Sequence, residues 1–230
     1  MRYISLIQGE FWALKRNRRM WMFILMMLGM AAVYALDAQD GGTFVPVVLV
    51  VTIYTGTWQM TVNSLVEEKE RRTLEALLVT PARPLEIIGA KATVGILLAA
   101  LLSAVILLLF RQPPRSPLVL LAGLGLAIGF ATASGALIGI VARDLKTSSL
   151  YRTPVLALLV GATIVPWQES GWAIAEIMRW LPTRPVQELL WGGWTGAPVP
   201  LAQNCIVMLF YTLLLLTIDA RILRQQATHR

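Results

Sequence analysis

The densest group of ionisable side chains in this chain is a block of seven charges within nine residues. Hydrocarbon cannot hold so many charges, so the block must stand in water. Acids and bases mixed on a short helix are suited to binding complementary charges on another protein. We therefore expect ionic recognition of a soluble partner. The members are Glu67, Glu68, Lys69, Glu70, Arg71, Arg72 and Glu75.

A small apolar ridge follows the charged block on the same predicted helix. Leu74, Leu77 and Leu78 recur there at helical spacing. The helix should end before Pro81, because the residue before a proline disfavours helical dihedral angles, and Pro84 suits the first turn of the next helix. Three leucines cannot form a core alone. Either lipid or a partner protein covers them, and the residues leave both options open.

The sequence lacks the groups that bond-making chemistry requires. It has one cysteine, Cys205, and one histidine, His229, next to its last residue. It contains no Ser–His–Asp set, no metal-ligand cluster and no G-x-x-x-x-G-K-[ST] phosphate loop. We predict that the chain is not an enzyme and binds no cofactor. If ATP drives it, another polypeptide binds the ATP.

The composition indicates an all-α integral membrane protein. Apolar residues make up 57% of the 230 residues and charged residues only 14%, and the mean hydropathy is +0.66. Apolar runs of membrane length, and not a soluble core, account for these values. The six predicted transmembrane segments are residues 20–36, 43–63, 86–110, 117–142, 149–166 and 200–220.

The predicted organisation is a single six-span domain over residues 20–230, preceded by an interfacial elbow helix over 1–19. In the elbow, apolar residues at positions 4, 7, 11 and 14 share one helical face. A cytoplasmic coupling loop is expected at 64–85. The segment 167–199 holds five of the eight tryptophans and two apolar stretches too short to span. We predict outer helices there that are interfacial or re-entrant.

The distribution of basic residues predicts the orientation. Sixteen arginines and lysines fall on one side of the six segments, and four fall on the other, at Arg111, Arg115, Arg179 and Arg184. By the positive-inside rule, both termini and the charged block are cytoplasmic. The net charge of +7 lies at the ends of the apolar segments, so it predicts contact with the lipid bilayer and no binding of nucleic acid.

Mild polar residues form a stripe in the second predicted span. Thr55, Gln59 and Asn63 follow one another at four-residue steps. Such a stripe lines a substrate path or makes hydrogen bonds between helices, and both interpretations stay open. The fourth span has small residues at a spacing that allows close helix packing, at Gly125, Gly129, Ala133, Gly135 and Gly139.

The charged block and ridge resemble the signature of the type-2 ABC exporter permease family, approximately E-K/R-E-x-G-T-L-E-x-L-L-x-T-P. Arg72 stands where the pattern has glycine, and E-I-I-G-A-K at 86–91 is similar to a second family motif. The matching residues are Glu68, Lys69, Glu70, Thr73, Leu74, Glu75, Leu77, Leu78, Thr80 and Pro81.

The resemblance implies a permease in a bacterial or archaeal cytoplasmic membrane. It would pair with a second copy or a homologous permease and export a drug, lipid, peptide or glycan. Separate ATPase subunits would hold ATP and Mg²⁺. They would bind the coupling residues Glu68, Glu70, Arg72, Thr73, Leu74, Glu75, Leu77 and Leu78, with a second contact at Arg143, Asp144 and Lys146. The alternatives are a haem-exporter-like permease of cytochrome maturation and a non-transporting membrane assembly factor.

Overall fold

The computed structural model describes residues 2–36, 44–70, 84–164 and 181–228. These residues form eight helices and no strand, which confirms the all-α class. Pro84 begins a helix, as its sequence context predicts. The helices are α1 (Arg2–Arg16), α2 (Arg18–Leu36), α3 (Val45–Glu70), α4 (Pro84–Leu109), α5 (Pro117–Val141), α6 (Leu145–Ile164), α7 (Thr183–Thr195) and α8 (Leu201–Thr228).

Four of the described helices are long and apolar enough to cross a membrane. They are Val45–Glu70 and Pro117–Val141, with Ala92–Leu109 of α4 and Leu201–Gln225 of α8. The apolar part of α2, Ile24–Leu36, is shorter. Helix α6 occupies the fifth predicted segment and contains Pro154. The count of six spans therefore remains a prediction.

A π-helical turn interrupts α3 at Tyr54–Trp58. Such turns are rare and often lie at functional sites. Within this one, the Thr57 hydroxyl donates to the backbone carbonyl of Gly95 on α4, with an Oγ1–O distance of 3.2 Å. The wider turn breaks the simple helical period, so the residues before it are rotated relative to Gln59 and Asn63.

Helix α5 lies against α3 along glycines of the predicted small-residue pattern. A Cβ atom at Gly135 would lie 2.9 Å from the Trp58 carbonyl oxygen, and one at Gly139 would lie 2.8 Å from the Leu65 Cβ. Glycine is therefore what allows the two helices to approach so closely. Gly125 belongs to the same pattern but has nothing within 4 Å of an added Cβ.

Helix α7 packs on the first turns of α5, at the opposite end of α5 from Gly139. A Cβ at Gly193 would lie 2.5 Å from the Leu120 backbone nitrogen. The Ser116 N–H donates to the Gly193 carbonyl at 2.9 Å. Trp194 is buried and meets Phe110 edge to face, with ring centroids 6.4 Å apart. This indole is therefore covered by protein. Of the two expected short outer helices, α7 covers the second and the first lies outside the described residues.

The N-terminal residues form a separate helix, α1, that ends before α2 begins. The break falls at Asn17, whose N–H donates to the Leu14 carbonyl at 3.1 Å. Trp12 on α1 is 62% exposed, and the Lys15 ammonium lies 5.3 Å from the centre of its ring. The position of α1 at a membrane interface remains a prediction.

Candidate coupling site at the end of helix α3

Lys69, in the last turn of α3, binds the end of α5. Its ammonium donates to the carbonyl oxygens of Ile140 and Ala142, with an Nζ–O distance of 2.8 Å for Ala142. The last carbonyls of a helix have no partner within it, and they carry the negative end of the helix dipole. A lysine ammonium satisfies both requirements. Lys69 therefore fixes the end of α3 to the end of α5.

Glu70, the next residue, binds the start of α6. Its Oε1 accepts a hydrogen bond from the Leu145 N–H at 2.9 Å. The first N–H groups of a helix lack partners within it and carry the positive end of the dipole, so a carboxylate is the matching group. Two consecutive residues of opposite charge thus bind two helix ends of opposite polarity. We call Lys69, Glu70 and the turn from Ala142 to Leu145 the clasp.

Asp144 holds the turn of the clasp in shape. Its Oδ1 accepts a hydrogen bond from the Thr147 N–H at 2.6 Å, which is the geometry of a helix N-cap for α6. This bond from the Thr147 backbone favours the carboxylate form and lowers the pKa of Asp144 from its ordinary value of 3.8. The start of α6 therefore has two carboxylate acceptors, one on its own chain segment and one from α3.

The clasp brings the two predicted partner contacts together. Glu70 belongs to the first, and its hydrogen bond reaches Leu145, inside the second. In that second contact, Arg143 and Lys146 are exposed and Asp144 is partly exposed. Glu68 is partly exposed on the last turn of α3. The remaining coupling residues lie outside the described part of the chain: Arg72, Thr73, Leu74, Glu75, Leu77 and Leu78.

The predicted polar stripe of α3 is only partly a stripe. Asn63 Oδ1 accepts a hydrogen bond from Arg152 Nη1 on α6 at 3.3 Å, and Gln59 is partly exposed one turn earlier. The backbone of Thr55 lies inside the π-helical turn. Asn63 therefore makes the helix-to-helix contact that was one of its two interpretations. Sequence reasoning missed Arg152 as its partner.

A further polar contact ties the N-terminal helix to α3. The Ser64 hydroxyl donates to Glu10 Oε1 on α1, with an oxygen–oxygen distance of 2.8 Å. Ser64 and Lys69 lie on the same last two turns of α3. The end of α3 therefore contacts α1, α5 and α6 through polar side chains, and a displacement of this end is transmitted to all three helices.

Known proteins offer one match to this chain. A family model described as "ABC-2 family transporter protein" matches residues 36–218. The match runs from the last residue of α2 into α8, so it includes the clasp and the Asn63–Arg152 contact. A comparison with curated proteins finds no match.

Proposed function

Because the chain belongs to the ABC-2 transporter family, we propose that it is the permease subunit of an ATP-driven exporter. The family and the four long apolar helices make it a multi-pass membrane protein of an ABC transporter. On our proposal, a separate ATPase subunit holds ATP and Mg²⁺. The cargo is an amphiphilic or lipid-like molecule, a drug, a peptide or a glycan that leaves the cytoplasm.

The observation that carries the proposal is the clasp. It places the loop after Glu70 beside the turn from Ala142 to Leu145, so a partner that binds one also meets the other. Arg143 and Lys146 are exposed on that turn and on the first turn of α6. A protein surface with complementary charge fits this arrangement better than lipid tails do. The ridge of Leu74, Leu77 and Leu78 would supply the apolar part of the same interface.

We assign the clasp end of the protein to the cytoplasm and propose six spans, with both termini on the same side. The assignment rests on the sixteen basic residues predicted for this side against four for the other. The membrane is then the cytoplasmic membrane of a bacterium or archaeon. The interfacial elbow at residues 1–19 and a paired permease, either a second copy or a homologue, complete the proposal.

The proposed coupling step is a rigid displacement of three helix ends. When the ATPase moves the loop after Glu70, α3 carries the end of α5 and the start of α6 with it, through Lys69 and Glu70. The cost of breaking either charge-assisted bond is about 1.5–3 kcal/mol in a shielded setting, and less where water competes. Small motions of the loop would thus move the helices before they break the clasp.

Substitution of the leucine ridge tests the proposal. Leu77→Asp together with Leu78→Asp should abolish co-purification of the ATPase and ATP-dependent transport. Leu77→Met with Leu78→Met keeps an apolar ridge and is the matched control, which should retain both. If the aspartate variant inserts in the membrane and still associates and transports as the intact protein does, the proposed coupling site is wrong.

A further inference from the structure

Arg152 is a partly buried arginine in the second turn of α6. Its Nη1 donates to Asn63 Oδ1 at 3.3 Å, and this bond connects α6 to α3. Pro154 lies two residues further along α6. The helix begins at Leu145 beside the clasp, so at 1.5 Å per residue Arg152 lies roughly 10 Å along the helix from it. That depth is at or just inside the membrane boundary.

The charge of Arg152 is not balanced within the described part of the chain. A guanidinium carries five N–H donors, and the one bond found goes to a neutral amide oxygen. The ion pair that the structure shows joins Arg184 and Glu188, on α7. No carboxylate among the described residues pairs with Arg152. A partly buried charge at this depth is costly unless an anion accompanies it.

The groups beside Arg152 are donors that suit an oxyanion. Asn63 uses its oxygen as the acceptor for Arg152, so its amide NH₂ remains a donor. Gln59 is one turn away on the same helix and partly exposed, with no hydrogen bond from its side chain within the described residues. A planar guanidinium beside amide donors binds carboxylate or phosphate oxygens through two parallel hydrogen bonds.

We propose that Arg152, with Asn63 and Gln59, is a binding subsite for the anionic headgroup of the cargo, a phosphate or a carboxylate on an amphiphile. The subsite rests on the proposed function, because it places the headgroup between α3 and α6 on the transport path. It narrows the substrate class from amphiphiles in general to anionic ones. A phospholipid of the bilayer offers the same headgroup chemistry, so the test must separate the two sources.

The probe is a fluorescently tagged dodecyl phosphate, with tagged dodecanol as its uncharged counterpart. Binding is measured to the full complex of permease and ATPase in neutral nanodiscs. The intact protein should prefer the phosphate, and Arg152→Gln should weaken phosphate binding by about tenfold or more, the loss of a charge-assisted bond. Binding of dodecanol should not change. Arg221→Gln removes an exposed arginine of α8 and is the matched control, which should bind both probes as the intact protein does.

Two further arms keep the result decisive. Arg152→Lys keeps the charge without the planar fork and should retain part of the preference, and this variant guards against a folding defect in Arg152→Gln. Nanodiscs that contain phosphatidylglycerol should not displace the probe if the subsite serves cargo. Displacement by phosphatidylglycerol at bilayer concentration would overturn the assignment to cargo and make Arg152 a lipid anchor.

An unchanged phosphate preference in Arg152→Gln would overturn the subsite altogether. That result leaves the proposed function intact as long as the variant still binds its ATPase. Failure of the intact permease to bind any ATPase would instead defeat the proposed function, and probe binding to the permease alone would still report on Arg152. The two failures are therefore distinguishable.

Discussion

The Glu70 carboxylate accepts a hydrogen bond from the Leu145 N–H at 2.9 Å, across a sequence separation of 75 residues. Lys69 makes the complementary bond to the Ala142 carbonyl at 2.8 Å. The charge order in α3 therefore matches the polarity of the two helix ends that meet there, a carbonyl end and an N–H end. This match explains why α3 remains helical for seven residues beyond the end of its predicted span at residue 63.

Removal of the Lys69 ammonium should destabilise the end of α5. In Lys69→Met the Ile140 and Ala142 carbonyls lose their charged donor, and a partly buried carbonyl without a partner costs about 1–3 kcal/mol. For a chain of this size that lowers Tm by roughly 2–4 °C per kcal/mol. Thermal unfolding in detergent measures the shift. A Tm equal to that of the intact protein would show that these carbonyls do not depend on Lys69.

Neutralisation of Glu70 should have a smaller effect. Glu70→Gln keeps an acceptor oxygen for the Leu145 N–H and loses only the interaction of the charge with the α6 dipole, about 0.3–1 kcal/mol at an exposed helix end. Glu70→Leu also removes the acceptor and should cost more. The comparison uses the same unfolding assay at low and high salt. Equal Tm values for the two variants would argue against the bond.

Enlarging the glycines of α5 should separate two parts of the small-residue pattern. Gly139→Ala puts a Cβ 2.8 Å from the Leu65 Cβ, and overpacking of this kind costs about 1–3 kcal/mol. Gly125→Ala meets nothing within 4 Å and gains helix propensity, so it is the matched control with an unchanged or higher Tm. If both variants unfold at the same temperature, α3 and α5 do not pack as described.

The Asp144 cap should make stability depend on pH at the acid end. The Thr147 N–H lowers the pKa of folded Asp144 below its ordinary value of 3.8, so the stabilisation is present above that value. It is lost as pH falls through the lowered pKa. The Tm difference between the intact protein and Asp144→Ala should therefore be largest near neutral pH and should shrink in acid. A difference that grows on acidification would contradict the assignment.

Local sequence patterns predicted the helices well, because their causes are local. Hydropathy located the apolar helices, Pro84 fixed the start of α4, and the small residues of α5 predicted close packing. Contacts between distant residues were not predictable in the same way. Lys69 matched a family motif, but nothing in its neighbourhood identifies the Ala142 carbonyl, 73 residues away, as its partner.

The π-helical turn and the partner of Asn63 were missed for related reasons. The turn at Tyr54–Trp58 depends on how α3 packs on its neighbours, so a regular helical period gave too simple a face for Thr55, Gln59 and Asn63. Arg152 read as one more basic residue on the predicted cytoplasmic side. Only the packing of α6 on α3 shows that its guanidinium reaches an amide oxygen.

The most direct test of the central claim is site-specific photo-crosslinking to the ATPase. A photoreactive phenylalanine analogue replaces exposed Arg143 or Lys146 at the clasp, or Leu118, which is 81% exposed near the opposite end of α5, as the control. In membranes that contain the co-expressed ATPase, positions 143 and 146 should give a permease–ATPase adduct and position 118 should give none. Absence of the adduct at both clasp positions, with the ATPase present in the purified complex, would contradict the account.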